Sequence, residues 1–253
     1  MRIGFWAAAT SMIWLACPEV MAATADTPAD TSSMPELALP QATPPATVSI
    51  GPVFAYSVTT ASDYIFRGVS QTENRPAIFG AARVTDDQFY VGVGIENVDF
   101  HNSTAAEYDL SAGWTPVVLG YKFDFGVVRY GYIDEPDHTH IDTVEYKAAV
   151  SHDLGPVTLG GVVYYTANFF GSGHDGVYYA GRVTYRVIKN LSVSGALGRQ
   201  TVGEGIGHTT WNTGLDYSFT KNIALDLRYY DTNAHSLGDN YGSHYVAAIK
   251  VSF

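Results

Sequence analysis

From Gly51 onward the chain alternates between apolar and polar positions with a period of two. Ile223, Leu225, Leu227 and Tyr229 alternate with Ala224, Asp226, Arg228 and Tyr230. Trp211, Thr213, Leu215, Tyr217 and Phe219 alternate with Asn212, Gly214, Asp216 and Ser218. The same holds for Val144, Tyr146, Ala148 and Val150, for Tyr108, Leu110, Ala112 and Trp114, and for Phe89, Val91, Val93 and Ile95. Successive side chains of a strand point to opposite faces, so the pattern predicts strands with one apolar and one polar face. About twelve strands are expected by this rule, over 53–67, 77–85, 88–98, 107–115, 120–132, 143–152, 156–168, 177–186, 191–199, 208–219, 222–231 and 242–253. The facing of 156–168 is ambiguous, because Val162 and Val163 are adjacent and both apolar.

The connections sharpen the picture. Tight turns at 85–88, 153–155, 188–190 and 220–222 alternate with longer polar segments at 68–76, 99–106, 133–142, 169–176, 200–207 and 232–241. Short turns at one end and long loops at the other are the plan of a bacterial outer-membrane barrel. The expected fold class is therefore all-β: a closed antiparallel transmembrane barrel, an up-and-down meander with both barrel ends on the periplasmic side. No later segment has the run of about 18 apolar residues that marks a transmembrane helix.

The first residues differ. Met1 and Arg2 open with a positive charge, Ile3 to Ala16 are mostly apolar, Pro18 breaks the run, and Val20-Met21-Ala22 offers small residues for cleavage. Residues 1–22 read as a secretory signal peptide. A membrane anchor is disfavoured because the run is short of about 20 residues. Lipoprotein processing at Cys17 is disfavoured because Trp14 stands where a lipobox has Leu. Residues 23–50 are rich in Pro, Ala and Thr and read as a flexible periplasmic lead-in, leaving 51–253 for the barrel.

Composition agrees. Hydrophobic residues are 46% of the 253, charged ones only 15%, and 18 Tyr and 25 Gly are present; this suits strands better than helices. The net charge of −11 argues against a nucleic-acid partner. The lone Cys17 falls in the signal, so no disulfide or thiolate metal site is expected, and no cofactor is expected.

What fills the second face separates a membrane barrel from a two-sheet sandwich, whose apolar faces pack together. That face carries Asp63, Arg67, Glu96, Glu107, Asp109, Lys122, Asp124, Glu145, Lys147, Arg182, Arg186, Asp216, Asp226, Arg228 and Lys250, the expected lining of a wet lumen. The apolar face bears aromatics at strand ends: Tyr64, Phe66, Phe89, Trp114, Tyr121, Tyr185, Trp211, Phe219 and Tyr229. Lipid interfaces call for such girdles. The terminal Phe253, with Val251, Ile249, Ala247 and Tyr245 at every second position before it, resembles a signal for the barrel assembly machinery.

Thr60 to Thr72 read TASDYIFRGVSQT. This resembles the opening motif of the TorF-type porin family of Gram-negative bacteria, through Ser62, Asp63, Tyr64, Phe66, Arg67, Gly68, Ser70 and Gln71. The likeness continues through Tyr90–Phe100, Glu107–Leu110 and Val144–Tyr146 and covers essentially 53–253. It implies an outer-membrane barrel that forms a pore and brings no catalytic residues. The Pro-rich lead-in and the His-bearing loops depart from the family.

On one strand, Asp63 and Arg67 share a face, and bracing of the wall is the expected role. Near balance of acids and bases in the lumen predicts weak selectivity, while acidic outer loops favour cations at the mouth or bridge to lipopolysaccharide through divalent ions. Seven of eight His fall in or beside those loops, and Asp137, His138, His140 and Asp142 form a candidate metal cluster. The expected function is a narrow outer-membrane porin for small solutes or ions, not an enzyme. Two alternatives stand beside it. One is a plugged structural or adhesive barrel whose outer loops bind divalent metal, its lumen filled by Arg182, Arg186, Arg228, Tyr178 and Tyr230. The other is a barrel hydrolase using Asp99 with His101, or Asp137 with His138.

Overall fold

The computed structural model describes residues 51–136, 140–203 and 206–253. The signal peptide and lead-in expected at 1–50, and Asp137 and His138 of the candidate metal cluster, lie outside the described residues.

Twelve strands form the wall: β1 (Val53–Ala61), β2 (Ala77–Asp86), β3 (Phe89–Asn97), β4 (Ala106–Trp114), β5 (Tyr121–Ile133), β6 (Thr143–Leu154), β7 (Val157–Thr166), β8 (Gly176–Ile188), β9 (Leu191–Val202), β10 (Ile206–Ser218), β11 (Ile223–Thr232) and β12 (His244–Ser252). Each pairs antiparallel with its sequence neighbours, and β1 pairs with β12 to close the ring. A two-residue strand at Val117–Val118 pairs with the start of β5. A closed ring leaves no unpaired edge. Apart from the first, every predicted strand lies within three residues of its observed limits.

Local chemistry explains the turns. Leu119 (φ 53°) and Gly120 (φ 82°) are both left-handed, the backbone that a two-residue hairpin needs to match strand twist. Between β10 and β11, Thr220 Oγ1 accepts the Asn222 and Ile223 amides at 3.1 and 3.0 Å.

The alternation sorts side chains as expected. On β11, Leu227 is 45% exposed outside, while Asp226 and Arg228 are buried inside. Phe54, Val91, Val93, Leu110, Tyr146, Leu197, Leu215 and Ile249 join Leu227 in an exposed apolar belt around the barrel. A belt this continuous far exceeds the patches that water-soluble monomers tolerate. β7 resolves its ambiguity: Val162 turns inward against Ala149 and Ala180, and Val163 is exposed.

Two expectations need correction. The first strand leaves the wall at Ala61 rather than Arg67, so Asp63 and Arg67 are not same-face residues of one strand. The chain turns into the lumen there, and Ile65–Phe66 pairs with Val69–Ser70 in a small hairpin inside the barrel. Tyr64 and Phe66 are consequently buried in the lumen and are not girdle residues. Of the remaining girdle aromatics, Phe89, Trp114, Tyr121, Tyr185 and Phe219 are exposed on the outside, and Trp211 and Tyr229 are half-buried.

Candidate functional site

The inward hairpin dominates the lumen. Its tip is Arg67 (φ 48°) and Gly68 (φ 84°), two left-handed residues in a row, as a tight two-residue turn requires. Its base is tied to the wall: the Ser62 amide donates to Ala247 O at 2.9 Å, and Ser62 Oγ accepts the Ala247 amide at 3.1 Å. Asp63 holds the returning limb, accepting from Ser70 Oγ at 2.7 Å and Thr72 Oγ1 at 2.9 Å. The Tyr64 amide donates to Thr72 Oγ1 at 3.1 Å.

The tip reaches across the ring. Arg67 is 2% exposed; its Nη2 pairs with Glu145 Oε2 on β6 at 2.5 Å and its Nη1 donates to Gln200 Oε1 on β9 at 3.0 Å. The guanidinium also lies over the rings of Phe66 and Tyr178, each 4.4 Å from the centroid, and Tyr164 at 5.1 Å. His208 Nε2 donates to Arg67 O at 2.8 Å. A buried guanidinium with a bidentate carboxylate and aromatic faces has its charge and donors met on several sides. Around it pack Tyr64, Ile65, Phe66, Val69, Phe79, Tyr130, Val202, Tyr230 and Val246, joined by Phe169 and Phe170 from the loop between β7 and β8. The long-loop half of the lumen is thus filled by side chains.

Toward the short-turn end the wall carries separate ion pairs. Lys147 Nζ meets Asp124 Oδ2 at 2.6 Å, and Tyr90 donates to Asp124 Oδ1 at 3.1 Å. Arg228 pairs with Asp226 at 2.7 Å and Asp216 at 3.4 Å, and donates to Asn212 Oδ1 at 3.0 Å. Arg182 donates to Ser194 Oγ at 3.1 Å. Lys122 pairs with Asp153 at 2.7 Å. Arg186 is exposed, and Lys250 is half-buried.

A third group stands apart. Glu96, Glu107 and Asp109 are all buried in the long-loop half, with Glu96 directly opposite Glu107 across β3 and β4. Among the eight acids expected in the lumen all are buried; among the seven bases only Arg67, Lys147 and Arg228 are. The near balance of the sequence therefore becomes a local acidic excess.

Several lumen residues escaped the sequence reading: Gln200, His208, Tyr90 and Arg83, whose guanidinium lies 3.6 Å from the Tyr90 ring centre. Strand parity was the available signal: Tyr90 shares the face of Glu96 on β3, and Arg83 shares that of the buried Phe79 on β2. In the candidate loop cluster, His140 is exposed and Asp142 is engaged by Arg129 at 2.5 Å. Asp99 is paired with Arg75, and His101 lies 2.9 Å from Glu73.

Barrels of this kind recur among solved structures. The KdgM porin superposes with a TM-score of 0.56 at 9% identity, covering 79% of this chain and 99% of that one. The KdgM porin in complex with disordered oligogalacturonate gives 0.55 at 10% identity, over 79% and 98%. The NanC porin gives 0.53 at 10% identity, over 78% and 97%. At these identities the likeness establishes the fold alone. No curated protein matches the sequence. A family profile does, over residues 45–252, and the chain therefore belongs to the bacterial family of unknown function described as Gcw_chp.

Proposed function

We propose that this protein is a narrow outer-membrane channel of the porin type, constricted from within by residues 62–76. The carrying observation is the sorting of side chains by the wall: an apolar belt faces outward all round, while Glu96, Glu107, Asp109, Asp124, Glu145, Lys147, Asp216, Asp226 and Arg228 are buried on the inward face. A greasy exterior around a polar interior suits a barrel set in lipid around a hydrated path. The shared fold of the KdgM and NanC porins supports the same reading. The hairpin that seals the long-loop half is built from the residues that resemble the TorF-type porins, so that resemblance is to a constriction motif. Charged partners at the constriction set which solutes pass. The short-turn end then faces the periplasm and the long loops face outward, where their acids meet lipopolysaccharide. Phe253, 66% exposed at the end of β12, remains available to the assembly machinery, and His138, His140, Asp137 and Asp142 remain a candidate outer-loop metal site.

Planar-bilayer recording tests the proposal. The wild-type barrel is expected to give small, discrete conductance steps. A variant with 64–71 replaced by a short Gly-Ser linker is expected to give larger ones. Silence from both would sink the channel. One observation favours a second reading, a plugged structural barrel: Tyr64, Phe66, Tyr130, Tyr178 and Phe169, in the cluster around Arg67, are each at most 2% exposed. In that case the wild type is silent and only the linker variant conducts.

A further inference from the structure

The acidic group on β3 and β4 has no counterpart among the other lumen charges. Glu96, Glu107 and Asp109 are 2%, 0% and 0% exposed. None of their six carboxylate oxygens has a hydrogen-bond partner among the described residues. Directly opposite Glu107, on the same face of β5, stands Tyr132, and its hydroxyl oxygen is also buried without a partner. The other buried acids of the lumen contrast with this: Asp124 has Lys147, Glu145 has Arg67, and Asp216 has Arg228.

Like charges directly across a strand pair repel. Three ionised carboxylates away from water, with no cation and no donor, are several kcal/mol unfavourable each. Such a group persists in a fold when protons neutralise it or a cation sits among it. One oxygen from each of the three residues lies within 4.8 Å of the other two. Ca²⁺ holds its oxygen ligands at about 2.3–2.6 Å, so two of its ligands stand up to roughly 5 Å apart. A single Ca²⁺ therefore reaches all three carboxylates at once. Hard, all-oxygen ligands select Ca²⁺ over softer metals. Mg²⁺ keeps several of its waters, and a site this closed leaves little place for them.

We propose that Glu96, Glu107 and Asp109, with the Tyr132 hydroxyl, form a calcium site inside the long-loop half of the barrel. The ion cross-links β3, β4 and β5 beside the inward hairpin, whose Gln71 carbonyl accepts the Asp99 amide at 2.8 Å just beyond β3. The site does not depend on whether the lumen conducts.

The test uses the full barrel, refolded in detergent and stripped with EDTA. Calcium is titrated by calorimetry, and Tb³⁺ by tyrosine-sensitised luminescence. The wild type is expected to bind one ion in the lumen and to unfold at a higher temperature with Ca²⁺ than with EDTA. Glu107→Gln and Asp109→Asn are each expected to weaken binding at least tenfold. The triple carboxamide variant is expected to lose the response and, freed of repulsion, to match or exceed the wild-type melting temperature in EDTA. Tyr132→Phe keeps all three acids and is expected to dim the Tb³⁺ signal, which guards against a triple variant that does not fold. No calcium-dependent shift in the wild type would overturn the site and assign the cluster to shared protons. An undiminished response in the carboxamide variants would overturn it in favour of the outer-loop acids.

Discussion

Gly68 has no room for a side chain. A Cβ there would stand 2.3 Å from Thr210 Oγ1 and 2.6 Å from Thr232 Cγ2, and its φ of 84° is one that L-residues adopt at a cost of about 1–2 kcal/mol. Gly68→Ala is therefore expected to loosen the hairpin tip. Limited proteolysis within 62–76 reports this, with partial rescue by Thr210→Ala, which removes the nearest contact and leaves that with Thr232 and the dihedral penalty. Arg67 presents a different balance. Removing one member of a buried ion pair leaves the other uncompensated, at about 3–5 kcal/mol. Arg67→Ala and Glu145→Ala are each expected to lower urea stability by that order. Arg67→Met with Glu145→Leu should recover most of the loss, because apolar replacement of both partners removes the unpaired charge. Additive losses in the double variant would show that the pair is not coupled.

At the scale of elements, the hairpin shows how a strand pattern outruns the strand. Past Ala61 the sequence keeps every second residue distinct through Asp63, Ile65 and Arg67, so periodicity extends the strand to Arg67. Alternation records which residues share a face; it carries no information on whether the backbone stays in the wall. What ends β1 is a set of contacts the wall cannot offer: Asp63 with Ser70 and Thr72 within the hairpin, and Arg67 with Glu145 and Gln200 across the ring. The loop between β7 and β8 behaves alike, since its 3-10 turn at Phe169–Gly171 buries Phe169 and Phe170 against the hairpin. Phe170→Ala is expected to widen the seal while leaving the wall intact. Larger conductance steps with unchanged heat-modifiable gel mobility would bear this out, and unchanged steps would remove Phe170 from the constriction.

For the whole molecule, the apolar belt decides the solvent. Leu227 sits near the middle of β11 and is 45% exposed. In lipid, an arginine at the bilayer midplane costs about 2–4 kcal/mol; on a water-soluble barrel an exposed Leu→Arg change costs almost nothing. Leu227→Arg is expected to reduce refolding into lipid vesicles by that amount, with Ser236→Arg, on an exposed loop, as an unaffected control. Equal refolding of the two variants would remove the belt from the membrane.

The strands, their facing and their long-loop ends were legible because period-two alternation and turn chemistry are local properties, written within ten or so consecutive residues. Asp226 and Arg228 inside with Leu227 outside follow from adjacency alone. The ring closure of β1 on β12, the inward course of 62–76, the Arg67–Glu145 pair and the clustering of Glu96 with Glu107 and Asp109 were decided by tertiary structure. Each joins residues from separate strands or loops, and their meeting depends on register and on the path of the backbone through the lumen, neither of which a local pattern encodes.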